Sequence, residues 1–135
     1  MNINNIQDQI IKEFSGLDDW LDKYEHLIKL GKSLKVSDMD LKKEEYQIPG
    51  CQSNLWINVE KRNNKLFIAA DSDALITRGI ISLLLRVLNN QSPDDIVNAD
   101  LYFIDKIGLS SHLSPTRANG LALIVKTIKS LAQNG

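Results

Sequence analysis

The sequence predicts an α+β domain, a small antiparallel sheet packed against several helices. Three observations carry that prediction. Apolar residues recur every three or four positions from Ile3 to Ile28, every two from Leu55 to Ala70, and every three or four again beyond Ala74. The two changes of period set helices on either side of a central hairpin. The chain has 135 residues and shows no internal repeat, low-complexity tract or domain-sized linker, so residues 1–135 read as a single domain.

Each element has its own signal. Ile3, Ile6, Ile10 and Phe14 line one face of a first helix, which Ser15-Gly16 ends. Leu17, Trp20, Leu21, Tyr24, Leu27 and Ile28 line a second, with Asp18 as its expected N-cap and Gly31 just past its end. From Lys32 to Gln47 the chain is charged and weakly patterned, which predicts a connection with little regular structure. Leu55, Ile57 and Val59 then alternate with polar residues, and Leu66, Ile68 and Ala70 do the same after a turn at Arg62-Asn63-Asn64. The outward slots of that second strand hold Phe67 and Ala69, so its other face is expected to be covered as well.

Ala74 to Leu88 predicts a central, mostly buried helix, because Leu75, Ile76, Ile80, Leu83, Leu84, Val87 and Leu88 leave it little polar surface. Asn89-Asn90 ends it. Ser92-Pro93-Asp94-Asp95 combines a serine cap, a proline at the first helical position and acids in the first turn, which starts a short helix. Another piece is expected around Leu101 to Ile107, stopped by Gly108. Ser114-Pro115 starts the last helix, whose apolar face is Leu121, Ile124, Val125, Ile128 and Leu131.

Composition removes several function classes. Hydrophobic residues at 43% and charged residues at 24% are ordinary for a globular protein. With 16 basic and 17 acidic residues there is no broad cationic surface, so nucleic acid is not an expected partner. The longest apolar run, Ile80 to Leu85, contains Ser82 and is far too short for a membrane span, and the N-terminus carries no signal-peptide pattern. The single cysteine can form no internal disulfide, so a reducing, cytoplasmic location is expected.

That cysteine, Cys51, is also the main chemical candidate. A lone cysteine is ordinarily a small buried hydrophobe. Here it stands in Ile48-Pro49-Gly50-Cys51-Gln52-Ser53, a proline-glycine turn entering the first strand, where a side chain can be presented to a partner. Gly50 removes bulk beside the sulfur, and Gln52 adds a polar group. A second anomaly is Ser114-Pro115-Thr116-Arg117-Ala118-Asn119-Gly120. Arg117 opposes the helix dipole in the first turn, and Asn119 and Gly120 are both poor helix residues. Arg117 could stabilise a thiolate or persulfide anion, or it could simply pair with Asp71 or Asp73; Gly120 is explained by close backbone packing.

Other candidates carry less. His26 is expected on the solvated side of the second helix. His112, two residues before the Ser114 cap, is a loop histidine that could join the site. No metal-like spacing links either to Cys51, and no cofactor motif, triad motif or phosphate loop is present, so no cofactor or metal is expected.

Taken together, Pro49-Gly50-Cys51-Gln52-Ser53, Trp56, Asp71-Ser72-Asp73-Ala74, Leu83-Leu84-Leu85-Arg86-Val87 and Leu113 to Leu121 resemble the SufE family, in order and over nearly the whole chain. The resemblance implies a small α+β protein with the fold of IscU-like iron–sulfur scaffold proteins. It implies a sulfur acceptor that stimulates a SufS-type cysteine desulfurase and relays sulfur to a SufBCD-like scaffold, with no stand-alone activity and with a homodimer allowed. The chain would not itself be a scaffold, because one cysteine cannot supply the four ligands a cluster needs. By the same resemblance Cys51 carries the persulfide. Arg117 and Asp73 match pattern positions near the cysteine loop, and with Gly50, Gln52 and His112 they are the candidate anion-stabilising or loop-supporting neighbours of Cys51. A CsdE-like acceptor for a paralogous desulfurase and a non-catalytic desulfurase-binding regulator stay open as alternatives. A thiol redox enzyme is disfavoured by the missing resolving cysteine.

Overall fold

The computed structural model describes residues 2–17, 19–34, 46–48 and 54–134, apart from the side chains of residues 110, 116 and 134. Among them seven helices and one hairpin form an α+β fold, as the change of period predicts. In chain order these are α1 (Ile3–Ser15), α2 (Trp20–Lys32), β1 (Leu55–Arg62), β2 (Lys65–Ser72), α3 (Leu75–Leu88), α4 (Pro93–Asn98), α5 (Phe103–Lys106), α6 (Leu109–His112) and α7 (Pro115–Asn134).

The hairpin is antiparallel, with Arg62 opposite Lys65 and Leu55 opposite Ser72. That register leaves a two-residue turn, Asn63-Asn64. Both asparagines have positive φ, 51° and 64°, the backbone that a twisted two-residue hairpin turn demands and asparagine tolerates. Leu55, Trp56 and Ile57 are all buried, so both faces of β1 are covered at its start, while its far end from Glu60 to Arg62 is exposed. Phe67 and Ala69, on the other face of β2, are half-buried. Beyond β2, the backbones of Leu66 and Gln91 pair, and the Asn89 side-chain oxygen accepts the Ile68 N–H at 2.8 Å.

Helix α3 lies at the centre and packs against α1, α2, α7 and β2. Ile80, Ile81, Leu83, Leu84, Val87 and Leu88 are buried, but Leu75, at its first position, is 43% exposed. The sharpest contact is between α3 and α2. A Cβ on Gly79 would stand 2.2 Å from the Leu27 carbonyl oxygen, and one on Gly31 would stand 2.5 Å from the Leu75 carbonyl oxygen. Gly31 therefore lies inside α2 and does not follow its end; it is there because the two backbones meet.

Local corrections have equally local causes. The N-cap of α2 is Asp19, whose side chain accepts the Asp22 N–H at 2.9 Å; the expected cap, Asp18, lies outside the described residues. Leu21 is 66% exposed, at the margin of a face whose centre is Leu27. On α7 the buried stripe runs Leu121, Ile124, Ile128 and Ala132, and Leu131 is exposed, because spacings of three, four and four track one side of a helix better. The caps Ser92 and Ser114 behave as predicted, their hydroxyl oxygens accepting the N–H groups of Asp95 and Arg117.

Two polar groups join the helices. Gln7 is fully buried in the middle of the α1 face. Its amide donates to the Asp100 carbonyl at 3.1 Å and accepts the Phe103 N–H at 3.1 Å, holding the entry to α5. Glu13 of α1 accepts from Nε2–H of His26 on α2 at 2.8 Å and from Arg86 on α3 at 3.2 Å. His26 also packs edge-on against Phe14, so it is not a solvated histidine. Burial pushes the Glu13 carboxyl up, but the hydrogen bonds and charges of His26 and Arg86 together hold it below its ordinary 4.5. A depressed folded pKa stabilises the fold above 4.5 and loses that contribution as pH falls through the folded value. Chemical unfolding of wild type and Glu13→Gln across acid pH is expected to converge below that range and diverge above it.

Candidate functional site

The site is built where the chain enters the hairpin. The backbones of Gln47 and Trp56 pair, and the Ile48 N–H donates to the Leu55 carbonyl at 2.9 Å. The chain leaves the described residues after Ile48 and returns at Asn54. Gly50, Cys51 and Gln52, the central candidates from the sequence, lie between these ends, outside the described residues.

Asn54 is the residue that joins the two ends. Its backbone N–H donates to Asp73 Oδ1 at 3.1 Å and its side-chain amide donates to Asp73 Oδ2 at 2.8 Å. Its side-chain oxygen accepts from Gln47 at 2.9 Å, and its backbone carbonyl accepts from the Ser72 hydroxyl at 2.7 Å. Ser72 Oγ in turn accepts the Ala74 N–H at 3.2 Å, one residue ahead of α3. Asp71-Ser72-Asp73 thus ends β2, opens α3 and grips the strand entry at once. A carboxylate and a hydroxyl just before a helix suit these tasks, since both accept from amides that helix starts and turns leave unpaired.

The expected carboxylate partners of Arg117 are engaged elsewhere. Asp71, almost fully buried, stands 3.2 Å from Nε of Arg78 on α3 and accepts the Ser72 N–H at 2.8 Å. Asp73 is held by Asn54. Arg117 sits in the first turn of α7, its N–H on the Ser114 hydroxyl, and its exposed side chain makes no ion pair among the described residues. Nothing among those residues lies within 4 Å of a Cβ added to Gly120, so close packing is not what that glycine meets there.

His112 lies apart from this network among the described residues. It ends α6, its ring stacked on Trp20 with centroids 4.3 Å apart and planes 23° from parallel. Nδ1–H donates to the Gly108 carbonyl at 3.0 Å. Gly108 itself turns the chain with a φ of 85°, as a helix stop requires. Among the described residues no three His, Cys, Asp or Glu side chains are grouped to hold a metal ion, and no helix is long and apolar enough to cross a membrane.

Sequence reasoning missed Asn54, Gln47 and Arg78. Asn54 and Gln47 carried a faint signal, polar amides on either side of the turn that holds Cys51. Arg78 carried none, being one of two arginines on a helix that otherwise reads as core.

Comparison with known proteins finds matches over nearly the full chain. The SufE family model, described as an Fe-S metabolism associated domain, matches residues 8–132. An uncharacterized SufE-like protein of Rhizobium meliloti is 36% identical over 131 residues, covering 93% of this chain and 94% of that protein. A second, from Rhizobium etli, is 36% identical over 131 residues, covering 93% and 88%. The solution structure of a hypothetical protein from Thermus thermophilus superposes with a TM-score of 0.74 over 96% of this chain and 94% of that one. At 16% identity that likeness shows the fold alone.

Proposed function

The chain belongs to the SufE family, and from that premise we propose that it accepts sulfur on Cys51 from a SufS-type cysteine desulfurase and relays it to iron–sulfur cluster assembly. One observation carries the reading: in a chain matched to that family over residues 8–132, the only thiol stands three residues before Asn54, the anchor that Asp73, Ser72 and Gln47 hold.

The step is a thiol–persulfide exchange. The Cys51 thiolate attacks the outer sulfur of the desulfurase persulfide, that sulfur–sulfur bond breaks, and the desulfurase thiolate leaves. Cys51 then carries the persulfide, and the desulfurase is free for another turnover, so the pair works faster than the enzyme alone. No external oxidant or reductant is consumed. With no second cysteine in the chain, Cys51 has no internal partner to expel its cargo as a disulfide, and the sulfur passes to another protein, in this reading a SufBCD-like scaffold. Asp73 serves as a support for the strand entry, both its oxygens accepting from Asn54. Arg117, with its guanidinium exposed at the start of α7, is the group available to an anionic sulfur or to a partner's carboxylate.

Mass spectrometry tests the proposal directly. After incubation with the desulfurase and cysteine, this protein is expected to gain one sulfur atom, reversibly by reductant, on the peptide containing Cys51. An unchanged mass at Cys51, with the desulfurase active in the same tube, would overturn it.

A further inference from the structure

Three sides of α2 are occupied. Leu27 and Gly31 meet the backbone of α3, Lys23 and Tyr24 donate to the carbonyls of Ile107 and His112 at 3.4 and 3.0 Å, and His26 bonds Glu13 of α1. The fourth side meets no other element among the described residues. With 3.6 residues per turn it presents Leu21, Asp22, Glu25, Ile28, Lys29 and Lys32. Leu21 is 66% exposed, the most of any large apolar side chain among the described residues, and Ile28 beside it is half-buried. The four charged residues are exposed, and none of them makes an ion pair among the described residues.

The order of these charges decides what the face can bind. Both acids lie in the N-terminal half of α2 and both lysines in the C-terminal half. The helix dipole favours an acid in the first turn and a lysine in the last. It does not account for an exposed leucine beside them, nor for Glu25 and Lys29, which stand one turn apart and form no ion pair. A second copy of the helix accounts for both. Laid antiparallel about a two-fold axis at the level of Leu27, it sets Glu25 opposite Lys29 of the second copy and Asp22 opposite its Lys32. Symmetry repeats each pair, and Leu21 and Ile28 run alongside. Leu75 and Leu131, the other exposed large apolar residues, lie on helices with no acidic residue, so neither face can match a copy of itself in this way. We propose that the outer face of α2 is a self-complementary docking surface through which two copies of this chain associate. One face of a 13-residue helix is about 20 Å long, short of what a tight interface covers, so the dimer is weak. Its ion pairs lie at the surface, so it is also sensitive to salt.

Sedimentation equilibrium of the full chain tests the surface. Wild type is expected to dimerise with a Kd on the order of 100 μM at low salt, rising about tenfold in about 0.5 M salt. Glu25→Lys and Lys29→Glu each set like charges opposite one another, and each alone is expected to stay monomeric. Both exchanges are on the surface and between good helix formers, so circular dichroism should be unchanged. Mixed in equal amounts, the two variants are expected to dimerise, because each supplies the charge the other lacks. The double variant Glu25→Lys/Lys29→Glu is expected to recover self-association for the same reason. Wild type that stays monomeric up to about 1 mM would overturn the inference and leave the face to a different protein. A dimer indifferent to either reversal, a dimer strengthened by salt, or a mixture that stays monomeric would overturn it too. None of these six residues enters the sulfur-acceptor reading, so the two stand or fall separately.

Discussion

Gly79→Ala is expected to lower the melting temperature by about 10 °C, corresponding to a net loss of about 2–3 kcal/mol. Helix propensity alone argues the other way, since alanine is favoured over glycine inside a helix by about 1 kcal/mol. Packing decides the sign. The new methyl would lie 2.2 Å from the Leu27 carbonyl oxygen and 2.8 Å from its carbon. These are backbone atoms, so no rotamer change can relieve the clash and one helix must move away from the other. Gly120→Ala is the matched control: no described residue lies within 4 Å of its Cβ position, so the entropic gain of about 0.4–1 kcal/mol should appear. Thermal unfolding followed by circular dichroism measures both. A neutral or raised melting temperature for Gly79→Ala would mean that α2 and α3 do not meet as closely as this.

These glycines also mark where sequence reading succeeds and where it stops. A glycine after an apolar period signals either a helix end or a close approach, and the two look identical without the partner. Gly16 and Gly108 end helices, whereas Gly31 lies within one because Leu75, 44 positions away by difference of residue numbers, presses its carbonyl there. Signals completed within four or five residues were legible. The serine-proline starts of α4 and α7, the Asn63-Asn64 turn and the alternation of β1 and β2 all fall in this class. Burial at the margin of a helical face was not legible, because Leu21 and Leu131 fit the period as well as residues at its centre and differ only in what lies opposite.

The candidate site divides along the same line. Cys51 is conspicuous as the only thiol in a turn sequence, and Asp73 as part of a motif. Their supports are long-range: Asn54 meets Asp73 across the hairpin, Gln7 meets Phe103 across most of the chain, and Arg78 reaches back to Leu34. The alternative pairing of Arg117 with Asp71 or Asp73 is not found among the described residues for this reason. Charge complementarity in a sequence names candidates, and Arg78, seven residues along from Asp71, had the shorter path to it.

Cys51→Ser is expected to abolish sulfur acceptance and to return desulfurase turnover to the level seen with no acceptor present. Serine is close to cysteine in size, and the hydrogen bonds that close the strand entry run through Gln47, Ile48, Asn54 and Asp73, residues that the substitution leaves unchanged. The variant should therefore fold and dock like wild type. What it loses is the nucleophile: at neutral pH a thiol is a few per cent ionised and strongly nucleophilic, while a hydroxyl offers almost no anion to attack a sulfur. Docking without transfer makes a sharper prediction still. Excess Cys51→Ser should inhibit stimulation by wild type, because it occupies the desulfurase without clearing its persulfide. The assay is sulfide release in the presence of reductant, with each protein alone and in mixture. Stimulation by Cys51→Ser equal to wild type would assign the effect to binding alone and replace the relay with a regulator. Competition without stimulation is the signature of a carrier whose single thiol does the chemistry.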